Sequence, residues 1–177
     1  MLLEKLMQVF KILSDIQSSS KKKKNNNKKI GDICLNSKHV KKNDIFVALK
    51  GKKYDVRKFF SEAINNGSSG IITNVKKIVN NKIPIIYNKE IKNKLPSLLK
   101  YYYQKLPNRI IAVTGTNGKT SVSWYLYQIL LLNEIKVSYL GTIGQYINKK
   151  KISNLENTTP DICTLFRLAS KHYEKGI

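Results

Sequence analysis

Residues 113–121 read VTGTNGKTS and run directly into VSWYLYQILLL. Gly115 and Gly118 allow the backbone to wrap so that successive N–H groups converge on anionic oxygens, because glycine alone enters the required conformations without a steric penalty. Lys119 adds a mobile cation, and the Thr120 hydroxyl is a ligand type suited to a hydrated divalent metal such as Mg2+. The apolar run that follows has the length and composition of a helix, so the loop opens onto the positive end of a helix dipole. Together these features hold a polyphosphate. The generic GxxxxGK[ST] pattern is not met, since Val113 stands at the first glycine position. A glycine turn without a ligand is the plain alternative, and Lys119 and Thr120 at the very start of the helix argue against it.

A phosphate loop needs a strand to deliver it and a sheet to carry that strand. Arg109–Val113 reads as that strand, residues 121–132 as the helix, and Ile135–Leu140 as a second strand. GTIG follows, then a hairpin through GQYINKKKISN, then NTTPD leading into a last helix. A strand–helix–strand unit of this kind opens a doubly wound parallel sheet, which binds ligands at the carboxyl ends of its strands. Upstream, IGDICLN, DIFVAL, GIIT and IPIIYN are strand-like, while DVRKFFSEAINNG and EIKNKLPSLLKYYYQ are helical, with Pro96 near the first turns or at a kink. The rhythm is α/β. KLPNR at 105–109 reads as a linker, placing a small mixed α/β domain over 1–107 and the beginning of a parallel-sheet nucleotide domain over 108–177.

The remaining segments carry less chemistry. MLLEKLMQVFKIL has its apolar residues at helical spacing with charges between them, which suits an amphipathic helix and not a signal peptide or membrane span. Residues 17–29, QSSSKKKKNNNKK, are a polar low-complexity stretch expected to be disordered. Tyr101, Tyr102 and Tyr103 point in three directions if helical, so they suit packing and not a base-stacking platform. Cys34 and Cys163 form no CxxC and are expected to be reduced, buried thiols; His39 and His172 have no partner pattern and are read as surface or satisfied histidines.

The balance of 33 Lys+Arg against 11 Asp+Glu, a net charge of +22, attracts any polyanion. Nearly all of it is lysine. Without an arginine or aromatic face, specific nucleic-acid recognition is not expected, and any such binding should fall steeply with salt.

TGTNGKTS resembles the nucleotide loop of the Mur ligases and their folylpolyglutamate synthetase relatives, whose loop also lacks the early glycine. LGTIG followed by LENTTPDICTLFRLASKHYEKG is similar to the Mur ligase that adds the third amino acid to the peptidoglycan precursor, and CLNSKHVKKNDIFVALKG is similar to the uridine-binding segment of the same enzyme. The resemblance implies a cytoplasmic, monomeric ligase. It uses ATP and Mg2+ to activate a carboxylate of UDP-MurNAc-L-Ala-D-Glu as an acyl phosphate, which the amine of meso-diaminopimelate or L-lysine then attacks. It further implies ATP contacts from Gly115, Thr116, Asn117, Gly118, Lys119, Thr120 and Ser121, with Lys119 catalytic and Thr120 on the metal. Leu35 and Ser37 would hold the uracil, and Lys52, Lys53 and Tyr54 would lie near the diphosphate and sugar. Asn157, Thr158 and Thr159 would sit between precursor and ATP; a plain turn with a helix cap at Thr159-Pro160-Asp161 is the alternative. The usual Asp-Ser-Arg of the uridine segment is here Asn36-Ser37-Lys38. Such ligases continue through further metal ligands, a carboxylated lysine and an amino-acid-binding domain, so the chain reads as a ligase fragment without turnover of its own. A non-catalytic nucleotide-sugar-binding module and another ligase of the same superfamily are the alternatives.

Overall fold

In the computed structural model, residues 30–51, 55–76, 82–155 and 159–177 are described. The expected N-terminal helix and the lysine-rich stretch at 17–29 lie outside them. The chain divides into two compact units, Met1–Tyr102 and Tyr103–Ile177.

The first unit is built on a four-stranded, all-parallel sheet in sequential order: β1 (Ile33–Cys34), β2 (Ile45–Ala48), β3 (Gly70–Thr73) and β4 (Ile85–Tyr87). β2 and β3 are buried at every position, as parallel strands covered on both faces must be. Period-two alternation sorts their side chains. Cys34, Phe46, Ala48 and Ile71 join Val56, Phe60 and Ala63 in one cluster, which seats α1 (Lys58–Asn65) on that face. Phe46 meets Phe60 edge-to-face with ring centroids 6.5 Å apart. Ile33, Ile45, Val47 and Ile72 point the other way and are equally buried. α2 (Ile91–Tyr102) buries Ile91, Leu95, Leu98 and Leu99, the i, i+4, i+7, i+8 stripe of an amphipathic helix, and contains Pro96. The Tyr102 hydroxyl donates to the Ile30 and Gly31 carbonyls, and burial, with Asp32 and Asp44 nearby, pushes its pKa up to about 12. Tyr103 is buried and Tyr101 and Tyr102 are half-buried, so the three consecutive tyrosines pack as expected.

The short connection from β1 to β2 folds around Asp44. This buried carboxylate accepts from the Asp32 N–H at 2.7 Å and the Lys41 N–H at 2.8 Å, and Cys34 Sγ points to it at 3.5 Å. Backbone donors thus satisfy a charge that would otherwise be costly to bury.

The second unit departs from expectation at its entrance. Residues 109–113 form no strand, and Ile110 and Ile111 are about two-thirds exposed, at 65% and 64%. No described strand lies beside them, and an unpaired extended segment makes no ladder. α3 (Lys119–Leu132) follows the loop, and β5 (Ser138–Gly141), β6 (Gly144–Ile147) and β7 (Lys150–Ser153) form an antiparallel meander. The expected hairpin through 144–154 is present. The expected parallel pairing after α3 is replaced by an antiparallel one because GTIG reverses the chain within two residues, offering β6 as the nearest partner. α4 (Ile162–Glu174) closes the unit. Cys34 and Cys163 are both buried.

α3 sits on the meander through aromatic side chains: Trp124, Tyr127, Tyr139 and Tyr146 are all in mutual contact, with centroids 5.0 to 6.2 Å apart. Its far side leaves Val122, Tyr125, Ile129 and Leu132 exposed. With β7 exposed along its length and Tyr127 the buried residue of α3, this unit has fewer buried residues than the first among those described. Amide exchange should therefore be slowest at β2 and β3 and faster throughout 109–153, as read by hydrogen-exchange mass spectrometry. Equal protection in both units would contradict this ordering.

Candidate functional site

The loop at 114–118 is shaped by its glycines. Gly115 has φ of 147° and Gly118 has φ of 76°; Gly118 is the left-handed residue that starts α3, and a β-carbon there would meet nothing within 4 Å. The loop surface at the helix start is therefore open, and the N–H groups of the first turn of α3 face it without intrahelical acceptors. Lys119 folds back over the loop, its Nζ donating to the Gly115 carbonyl at 2.6 Å and the Thr116 carbonyl at 3.2 Å. Ser123 Oγ donates to the Lys119 carbonyl at 2.8 Å and the Thr120 carbonyl at 3.1 Å, anchoring the first turn. A cation held by two carbonyls beside a dipole-positive helix end, with open space at Gly118, fits a polyphosphate whose oxygens replace those carbonyls.

The structure adds a residue that spacing does not reveal. Thr142 lies at the two-residue turn between β5 and β6, and its Oγ1 is 3.2 Å from Thr120 Oγ1. Twenty-two positions separate the two threonines. Nothing in the local pattern of GTIG marks the contact.

In the first unit, parallel topology brings the segments after β1, β2 and β3 to the same, carboxyl-terminal edge of the sheet, across the strand ends. Leu35 follows β1 and is half-buried. Ser37 begins a short 3-10 turn, Ser37–His39, is buried, and donates its hydroxyl to Glu62 Oε2 of α1, while Asn66 Nδ2 donates to the Ser37 carbonyl at 2.9 Å. Ser37 thus ties the β1 edge to α1 and presents acceptor lone pairs, not a donor, to anything bound there. After β2, the Lys50 N–H donates to Asn74 Oδ1 at 2.8 Å, linking that segment to the end of β3. Lys76 Nζ lies 5.9 Å from the centre of the Tyr87 ring on the same edge. Glu62, Asn74 and Lys76 are visible only in the fold. Lys52, Lys53 and Tyr54 lie outside the described residues, as do Asn157 and Thr158.

Thr159 is exposed just ahead of α4. The cap of that helix is Asp161, whose Oδ1 accepts from the Cys163 N–H at 2.9 Å and the Thr164 N–H at 3.1 Å, so the plain reading of a helix cap within Thr159-Pro160-Asp161 is met, by Asp161.

His172 proves to be a satisfied, buried histidine. Gln145 Nε2 is 2.6 Å from its Nε2, and Ser153 Oγ donates to Gln145 Oε1 at 3.2 Å. This chain of donors requires a neutral ring accepting at Nε2. Burial chiefly, with Lys175 nearby, lowers the His172 pKa to about 4.

The unfolded chain binds a proton near the usual histidine value while the folded one does not. The unit should therefore keep its full stability above about pH 6.5 and lose on the order of 3 kcal/mol as pH falls towards 4. Urea titrations of wild type and His172→Gln at pH 7 and 4.5 check this: the slope with pH should shrink in the variant, and an identical slope would refute it.

The sequence from Val113 to Ile177 matches the Mur ligase middle-domain model. This segment belongs to the Mur ligase family. UDP-N-acetylmuramoyl-L-alanyl-D-glutamate–2,6-diaminopimelate ligase of Rickettsia typhi is 39% identical over 138 residues, 77% of this chain and 27% of that protein. The Aquifex aeolicus enzyme of the same name is 35% identical over 151 residues, 84% of this chain and 31% of that protein. A solved structure of a ligase so named superposes with a TM-score of 0.64 over 86% of this chain and 32% of that one, at 24% identity, which establishes a shared fold. The chain thus spans about a third or less of the Mur ligases it matches. Both the glycine loop and the hairpin bearing Thr142 fall inside the matched Mur ligase segment.

Proposed function

We propose that this polypeptide supplies the precursor-binding part and the phosphate loop of a ligase that adds the third amino acid to UDP-MurNAc-L-Ala-D-Glu, with residues 1–107 binding the nucleotide sugar and 108–177 opening the ATP domain. The observation that carries the reading is the Gly115–Ser121 loop, with its open Gly118 surface and Lys119 held at its mouth, inside a Mur ligase segment. The chain's similarity to diaminopimelate ligases favours diaminopimelate over lysine as the amino acid added.

Mg·ATP, when bound, supplies the phosphoryl group that activates the precursor carboxylate. Backbone N–H groups from Gly115 to Ser121 would bind its phosphate oxygens, and Lys119 would leave its carbonyl partners to neutralise charge on the transferred group. Thr120 would hold the metal. Leu35, the acceptor side of Ser37, and Lys52, Lys53 and Tyr54 would bind the uridine diphosphate moiety, with Asn157, Thr158 and Thr159 orienting the peptide end. No helix among the described residues is long and apolar enough to cross a membrane; the setting proposed is that of a cytoplasmic, monomeric enzyme, by similarity to the ligase family.

Calorimetric titration of the 177-residue chain tests the reading, with expected 1:1 binding of UDP-MurNAc-L-Ala-D-Glu and of Mg·ATP at separable sites. Absence of both would defeat it.

A further inference from the structure

We propose that Thr142 is a positioning residue for the phosphate loop: its Oγ1 accepts the Thr120 hydroxyl proton, so that Thr120 turns a lone pair toward the divalent cation of a metal–nucleotide. The inference rests on the phosphate-loop reading above and goes beyond it by assigning a role to the hairpin tip. A hydroxyl that ligates a cation must send its proton away from the metal, and groups that accept such protons orient the ligand and raise its basicity. Thr142 Oγ1, 3.2 Å from Thr120 Oγ1, is placed to be that acceptor.

The hairpin is built to hold it there. Gly141 and Gly144 pair across the turn, leaving Thr142 and Ile143 as its two loop residues. A β-carbon at Gly141 would collide with the Tyr139 ring, and one at Gly144 would lie 2.7 Å from the Ser153 carbonyl, where φ is also +127°. Both glycines therefore let the tip lie tight against its own sheet. Tyr139 is in turn packed edge-to-face on Trp124 of α3, ring centroids 5.2 Å apart, so the tip and the helix bearing Thr120 share one aromatic anchor. Thr142 itself is exposed. A buried packing role for its side chain is thereby excluded, and its methyl and hydroxyl can be altered without touching the core.

The test uses the whole 177-residue chain and titrates ATP in Mg2+ and in EDTA, taking the ratio of the two dissociation constants as the metal enhancement. One hydrogen bond of ordinary strength corresponds to a change of about threefold to tenfold. Thr142→Val should lower the enhancement by that factor while leaving the EDTA affinity and the melting temperature unchanged. Thr142→Ala should do the same, and Thr142→Ser should restore the wild-type ratio. An unchanged enhancement in Val and Ala variants that still lose nucleotide on Lys119→Ala would overturn the inference while the phosphate-loop reading stands. Equal weakening with and without metal would also overturn it, since that marks a structural role. If the wild-type chain binds no nucleotide in either buffer, the phosphate-loop reading fails and the role of Thr142 falls with it.

Discussion

Lys119→Ala is expected to weaken Mg·ATP binding by about tenfold to a hundredfold, the range for losing a charged hydrogen-bonding partner of the phosphates. Binding of UDP-MurNAc-L-Ala-D-Glu should be unaffected, because Lys119 lies in the second unit and, among the described residues, bonds within its own loop, to the Gly115 and Thr116 carbonyls. Removing the ammonium also frees those carbonyls, so the loop should loosen locally without unfolding α3, whose first turn remains anchored by Ser123. Calorimetry with each ligand separates the two effects. Parallel loss of both ligands would show that the variant disturbs the fold instead of the phosphate contacts.

Phe46→Ala should produce the largest loss of stability, about 3 to 5 kcal/mol, as is usual for deleting a buried aromatic side chain. Phe46 is 2% exposed at the centre of the first sheet, against the Phe60 ring of α1. The cavity would lie between β2 and the helix that bonds to Ser37 through Glu62 and Asn66. The loss should therefore reach the proposed uridine edge: amides of β2 and β3 exchange faster by about two orders of magnitude, and precursor affinity falls at temperatures where the wild type still binds. Unchanged exchange at β3 would contradict the assignment of this cluster as the core.

The first unit is legible because its strands are short apolar runs bounded by turn residues, and its helices carry their own periodicity and stops; GIIT and KFFSEAIN form the elements their patterns announce. The second is less so for a physical reason. Arg109–Val113 has strand composition, but a strand exists only through a partner, and Ile110 and Ile111 face solvent among the described residues. β5 likewise pairs with whichever segment the turn delivers, and Gly141 and Gly144 deliver β6. The glycine loop is legible because its residues are contiguous: the helix starts at Lys119 and Gly118 takes the left-handed conformation. Thr142, Glu62 and the Gln145–His172 pair are contacts across long separations, and no local spacing encodes them. Their partners were fixed only when the sheet edges and the hairpin were in place.

Amino-acid transfer onto UDP-MurNAc-L-Ala-D-Glu, followed with labelled diaminopimelate and ATP, tests the central claim most directly. The chain should be assayed alone and joined to the region of the Aquifex aeolicus ligase that lies beyond the matched segment. The joined protein should form the labelled tripeptide precursor with one ADP released per transfer, its Lys119→Ala form should not, and the 177-residue chain alone should form none. A folded joined protein that binds both ligands yet transfers nothing, or one whose transfer survives Lys119→Ala, would contradict the account.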